Sequence, residues 1–240
     1  MDWTHYLLEE KAPNGAYAHL GVLEGMVTAP FDLSELPVDT KYVSMSTPLK
    51  KFKLEYSNLT SLSGNKSIEA ISINDIDEER LAMFATLPNL KYLQISTNQQ
   101  KEIPNLSFLK SLEVLILANF KKVENIHFVA GMKNLKTLYI YGINNLYDLA
   151  PISDLTNLEE LFIDHGKMSG TGKSVKSIEP LNVLTQLKYL HLSIAFEEKT
   201  PDFSVLYKLK KLQKLKLLPR YLKAGQIEVL KKELPLIKNL

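Results

Sequence analysis

The sequence contains no cysteine, which removes disulfides, thiolate nucleophiles and every thiolate metal site. No stretch approaches the roughly 18 apolar residues of a membrane-spanning helix. Charge of neither sign dominates: 29 Lys/Arg against 27 Asp/Glu leave +2, too little to imply nucleic acid by itself. Low hydrophobicity with high net charge, the signature of disorder, is missing as well, since 45% of residues are hydrophobic. The first residues, Met-Asp-Trp-Thr-His-Tyr-Leu-Leu-Glu-Glu-Lys, lack the basic start and apolar run of about 7–15 residues that an export signal needs. A cytoplasmic location is therefore expected. At about 150 residues per domain, 240 residues make one or two domains.

What is present is a repeat. The pattern apolar-x-x-Leu-x-x-apolar-x-apolar occurs six times. Its copies are anchored at Leu87, Leu90, Leu93, Ile95; Leu109, Leu112, Leu115, Leu117; and Met132, Leu135, Leu138, Ile140. They continue at Leu155, Leu158, Leu161, Ile163; Leu184, Leu187, Leu190, Leu192; and Leu209, Leu212, Leu215, Leu217. Successive copies start 22, 23, 23, 29 and 25 residues apart. One period earlier, Asn65, Ile68, Ile71 and Ile73 make a seventh copy, and Leu49, Phe52 and Leu54 suggest a weaker eighth.

The phrases Leu87-Pro-Asn-Leu-Lys-Tyr-Leu, Met132-Lys-Asn-Leu-Lys-Thr-Leu and Leu155-Thr-Asn-Leu-Glu-Glu-Leu resemble the leucine-rich repeat family, in its short-period, internalin-like bacterial form. The upstream segments Ile103-Pro-Asn-Leu106, Val123-Glu-Asn-Ile126, Leu146-Tyr-Asp-Leu149 and Ile178-Glu-Pro-Leu181 carry the same resemblance. It implies an α/β leucine-rich repeat solenoid, with a curved parallel sheet on the concave side and short helices, 3-10 turns and loops on the convex side. The expected division is an N-terminal cap over 1–45, repeats over 46–220 and a C-terminal cap over 221–240. The closing helix is read over 224–233, with Ile227, Leu230 and Leu234 on one face. One departure stands out. The family's asparagine, three residues beyond the last strand leucine, survives only as Asn98; Ile76, Phe120, Ile143, Gly166, Ala195 and Arg220 hold the other positions. Backbone groups at those bends must then find backbone or water partners.

Strand alternation places one set of side chains on the concave face. Tyr92, Gln94, Ile116, Tyr139, Tyr141, Phe162, Asp164, Tyr189, His191, Lys214 and Lys216 fall there. Adjacent rows lie about 4.8 Å apart, so the aromatic members form one patch, read as solvent-facing and suited to recognising a protein. Replacing Tyr139 and Phe162 by alanine is expected to abolish partner capture without unfolding the chain. Residues 201–240 carry +7 and leave −5 on residues 1–200; this Lys-rich end offers an alternative role in binding nucleic acid or another acidic surface. A third alternative is a small-ligand or enzyme site around His191 and Asp164, for which a surface ion pair is the simpler account. Gly170-Thr-Gly-Lys-Ser174 fails the phosphate-loop spacing, because Gly166 stands one residue too early. The reading that follows is a non-enzymatic, monomeric protein-interaction module, with no cofactor, metal or membrane, and with nucleic acid as the minority partner.

Overall fold

The computed structural model describes residues 1–15, 17–46, 54–96, 99–120, 122–166, 172–223 and 225–238. Among them, nine strands run parallel in sequence order in one open, curved sheet. They are β1 (Val27–Thr28), β2 (Tyr42–Met45), β3 (Ala70–Ile73), β4 (Tyr92–Ser96) and β5 (Val114–Ala118). The sheet continues with β6 (Thr137–Tyr141), β7 (Glu160–Asp164), β8 (Tyr189–Ser193) and β9 (Lys214–Leu217). The strand anchors pair with their counterparts: Leu93 stands beside Leu115, Leu115 beside Leu138, Leu138 beside Leu161 and Leu161 beside Leu190. The return path of most repeats is a 3-10 turn, as at Leu106–Phe108 and Glu179–Val183. The strand leucines and the turn residues close one continuous apolar core. Each unit leaves its apolar side bare unless a neighbour covers it, which is why the core runs the length of the stack.

Two short helices interrupt this scheme. In α1 (Glu78–Phe84), Asp77 is the N-cap and accepts the Arg80 N–H at 2.8 Å, and Glu78 and Glu79 add acidic charge to the first turn. The closing helix α2 (Gln226–Glu233) buries Leu230, and Leu234 just beyond it, against the last repeat.

The sheet begins earlier than the repeat pattern indicated. Val43 and Met45 pair with Ile71 and Ile73, so the strand before β3 lies at 42–45 and not in the copy read at Leu49, Phe52 and Leu54. Leu54 is outside any strand and 45% exposed; Leu49 and Phe52 lie outside the described residues. Val43 and its partner Ile71 stand 28 residues apart, a longer step than the 22 and 23 residues of the repeats that follow, which hides the relation.

The missing asparagines are replaced by three devices. Phe120, Ile76 and Ile143 turn inward and are buried. The Gln100 amide accepts the Ile76 N–H at 2.8 Å and donates to its carbonyl at 2.7 Å. After β5, β6 and β7 the backbone groups pair between neighbouring bends, with Asn119 N–H donating to Tyr141 O, Gly142 N–H to Asp164 O and His165 N–H to Ser193 O. Gly142 has φ +74°, and a Cβ there would come within 3.3 Å of the Asn119 backbone, which favours glycine. A different asparagine series bridges the repeats at the opposite end of the strands. Asn89, Asn134 and Asn157 donate to the carbonyls of Lys66, Lys110 and Lys133, at 2.7, 2.8 and 2.9 Å.

Beside it runs an ion ladder of alternating sign in the residue before each of β2 to β8: Lys41, Glu69, Lys91, Glu113, Lys136, Glu159 and Lys188. Glu113 bridges Lys91 at 2.8 Å and Lys136 at 3.2 Å, and Lys188 meets Glu159 at 2.5 Å. Like charges never stand opposite each other, which favours this pairing of strands.

Candidate functional site

The face of the sheet opposite the main core carries three rows of side chains in register. The first is Tyr92, Val114, Thr137, Glu160, Tyr189 and Lys214; the second is Gln94, Ile116, Tyr139, Phe162, His191 and Lys216. The third holds Ser96, Ala118, Tyr141, Asp164 and Ser193. The structure thus brings all eleven candidate residues onto one face. Tyr139 stacks on Phe162 with centroids 4.2 Å apart, and Phe162 on His191 at 4.0 Å.

This patch is not open to solvent. Tyr92, Ile116, Tyr139, Phe162 and Tyr189 are buried, in a second apolar cluster with Trp3, Tyr6, Leu7, Ala12, Ala18 and Leu23. Residues 1–45, expected to cap the end of the stack, divide instead into two parts. Residues 27–45 supply β1 and β2, and the residues before them lie across the concave face. The physical reason is the patch itself: an uncovered run of apolar side chains over five strands is unstable in water, and the first 23 residues hold apolar side chains with no repeat period to place them elsewhere.

The covering segment grips the face at four places. Trp3 stacks on Tyr92 at 5.2 Å, with Tyr6 edge-on to the same ring at 5.7 Å. His19 lies flat on Tyr141 at 4.0 Å, and its Nδ1 is 2.8 Å from the Tyr139 hydroxyl. At the rim, Glu10 meets Lys214 at 3.2 Å, and His5 lies between Lys188 and Glu159. The fourth grip is polar and buried. Glu160 is fully enclosed, and its carboxylate accepts the Leu7 N–H at 3.0 Å from both oxygens, the Leu8 N–H at 2.7 Å and the Thr137 hydroxyl at 2.6 Å. Burial pushes this carboxyl above its ordinary range in spite of the three donors.

Glu160 and its amide donors are absent from the set read from sequence. The only signal was a carboxylate in a row of aromatics, followed by nothing that named its partner 153 residues away. Gln94 is buried and accepts from the Tyr92 hydroxyl at 2.7 Å.

The His191–Asp164 pair is corrected in kind. Its atoms stand 3.9 Å apart, both side chains are buried, and His191 is pushed down to about 3 by burial, with Lys216 and Lys214 adding to the effect. At neutral pH the imidazole is uncharged, so this is no surface ion pair, and neither is it an acid–base pair poised near neutrality. Asp164 instead accepts the Gly166 N–H at 2.7 Å. Lys216 is exposed, whereas Lys214 is engaged by Glu10 and lies 5.6 Å above the Tyr189 ring. Of the Gly170–Ser174 loop, residues 170 and 171 lie outside the described residues. The Lys173 N–H donates to Asn144 O at 2.7 Å, and a 3-10 turn follows at 179–183 where a phosphate loop requires a helix.

His19 makes docking of the segment sensitive to acid. Burial lowers it from 6.5 to about 4. Between those values the undocked ring takes a proton that the docked ring refuses, so docking weakens as pH falls, by up to ~1.4 kcal/mol per pH unit. Glu160, shifted upward, works with the opposite sign, so the telling quantity is a difference between two chains. Trp3, the single tryptophan, reports it. Between pH 6.5 and 4 the emission of the wild type is expected to shift further to the red than that of His19→Gln, which keeps a hydrogen-bonding group beside Tyr139. Identical titrations would remove His19 from the account.

Parallel strands one per repeat, a leucine core running through the stack and laddered bends define a leucine-rich repeat solenoid, and the chain is a leucine-rich repeat protein. Its fold is similar to that of internalin C2 from Listeria monocytogenes, with a TM-score of 0.50 and 27% identity over 67% of this chain and 66% of that one. In sequence it is 30% identical over 148 residues to lumican of Mus musculus and of Rattus norvegicus. That match spans 58% of this chain and 43% of lumican, so the chain spans less than half the length of these curated relatives. No family model matches the sequence. No helix among the described residues is long and apolar enough to cross a membrane.

Proposed function

We propose that this chain is a non-enzymatic protein-interaction module and that the concave face is its recognition surface. The observation that carries the reading is the occupied face itself. Tyr92, Ile116, Tyr139, Phe162 and Tyr189 form an apolar floor with a polar anchor at Glu160, and that floor already holds a folded peptide segment with aromatic side chains. Burying aromatic area around a satisfied polar centre is how protein interfaces obtain affinity. The likeness to internalin C2 agrees with a binding role and names no partner.

The test must spare the floor. Tyr139 and Phe162 are fully buried beneath the segment, so their alanine variants release the segment first and no longer isolate a partner contact. Tyr141 lies under His19 and is lost with the segment in the same way, whereas Lys216 is exposed at the end of the second row. Affinity capture from the native cell extract is expected to recover a protein on the wild type and to lose it on Lys216→Glu, with melting temperatures within a few degrees of each other. A partner held equally by both chains would remove the concave face from the proposal.

A further inference from the structure

The segment and the solenoid are joined in an unusual way. Among the described residues, every backbone–backbone hydrogen bond of residues 1–25 is local, such as Glu9 N–H to His5 O and Lys11 N–H to Tyr6 O. None reaches the sheet, whose own ladder starts at β1. Side chains of the solenoid hold the segment instead, with the Glu160 carboxylate on the Leu7 and Leu8 amides, the Gln94 amide on the His19 carbonyl and Tyr42 on the Met1 ammonium. Lifting it breaks no strand pairing. Its backbone is also bent to fit: His5 and Glu10, on either side of the amides that Glu160 holds, have φ of +53° and +55°. Left-handed conformations are unfavourable for a residue with a bulky side chain, and both relax once the segment leaves the face. At the junction with β1, Gly25 has φ +78°, in the region where glycine alone rotates freely.

We infer that residues 1–25 are a detachable, built-in occupant of the recognition face, displaced by a partner protein that presents a segment of the same chemistry. That segment is a tight turn offering two consecutive free backbone N–H groups to Glu160. Aromatic rings on it fit over Tyr92 and Tyr141, and an acidic side chain stands opposite Lys214. The inference rests on the concave face being the recognition surface, and it adds both the kind of partner and the regulation: affinity for the partner is reduced by the fraction of chains whose face is already filled.

The full chain tests it through Trp3. The probe is a synthetic peptide of residues 1–25 carrying Trp3→Phe, silent in tryptophan emission. Titrated into the wild-type chain, it is expected to give a saturable red shift of Trp3 and a gain in acrylamide quenching. In a chain carrying Tyr6→Ala, the built-in segment is weakened and the face is intact, so half-saturation is expected at a peptide concentration at least tenfold lower. Glu10→Lys, exposed and safe for folding, is expected to move it in the same direction by a smaller factor. A peptide with Leu8→Pro, which lacks one of the two N–H donors, is expected to need at least tenfold more.

No change in Trp3 at saturating peptide, in chains that keep their far-ultraviolet circular dichroism, would overturn the inference and make the segment a fixed part of the fold. Exchange of segments between two copies, seen as a dimer in sedimentation with Trp3 still protected, would overturn it too, because the occupant would then be a second copy. Either result is separable from failure of the recognition reading. Capture that depends on Lys216 while the peptide does nothing keeps that reading and removes only this one.

Discussion

Glu160→Ala is expected to release residues 1–25 from the concave face while leaving the repeats folded. The substitution takes the acceptor from the Leu7 and Leu8 amides and from the Thr137 hydroxyl, all of which bond its carboxylate within 3.0 Å. Each buried donor left without a partner costs about 1–3 kcal/mol. The chain avoids that cost by letting the two amides reach water, which they do only if the segment lifts. Docking is therefore weakened by about 3 kcal/mol, on the order of a hundredfold in the docked-to-open ratio. The measurement is Trp3 emission beside far-ultraviolet circular dichroism. Emission is expected to move to the red at neutral pH while the dichroism of the sheet is retained. Unchanged emission would mean that side-chain packing by Trp3, Tyr6 and Leu7 holds the segment without the carboxylate.

One residue before Tyr139 the expectation is different. Leu138 points to the opposite side of β6, into the continuous core between the sheet and the convex turns, and is fully buried. Leu138→Ala is expected to cost about 2–5 kcal/mol through lost burial and the cavity left behind. Because that core is shared by all repeats, the loss falls on the solenoid as a whole. Trp3 emission and dichroism should then melt together at a lowered temperature, in contrast to the separate responses of Glu160→Ala. An early Trp3 transition in Leu138→Ala would show that the two faces of the sheet are not energetically distinct.

That contrast also marks what the sequence made legible. Period-two alternation in Val114-Leu-Ile-Leu-Ala118 and Thr137-Leu-Tyr-Ile-Tyr141 assigned each side chain to its face, and strand register agrees with every row. Leucine spacing is local information, and it carries the solenoid by itself. The covering segment depends on other information. Its placement comes from a carboxylate meeting amides 153 residues away, and from aromatic stacking that has no fixed spacing. Trp3, Tyr6, Leu7 and Leu8 were visible as apolar residues outside the repeat, yet an end of the stack and its concave face are equally apolar destinations. Glu160 was the available clue, since a carboxylate among Tyr139, Phe162 and Tyr189 demands donors beyond the single Thr137 hydroxyl beside it in the sheet. His191 illustrates the same gap: alternation set it on the face with Asp164, and burial there leaves it neutral.

The most direct measurement is residue-resolved amide hydrogen exchange on the full chain at neutral pH, comparing Leu7 and Leu8 with the central strands β5 to β8. A docked, separately opening segment predicts that both amides are protected, and that their opening free energy lies clearly below that of Leu115, Leu138 and Leu161, which open only with the sheet. Exchange of Leu7 and Leu8 at the rate of free amides would contradict docking on the concave face. Opening at the same free energy as the strand amides would contradict detachment, and would make residues 1–25 one cooperative unit with the repeats.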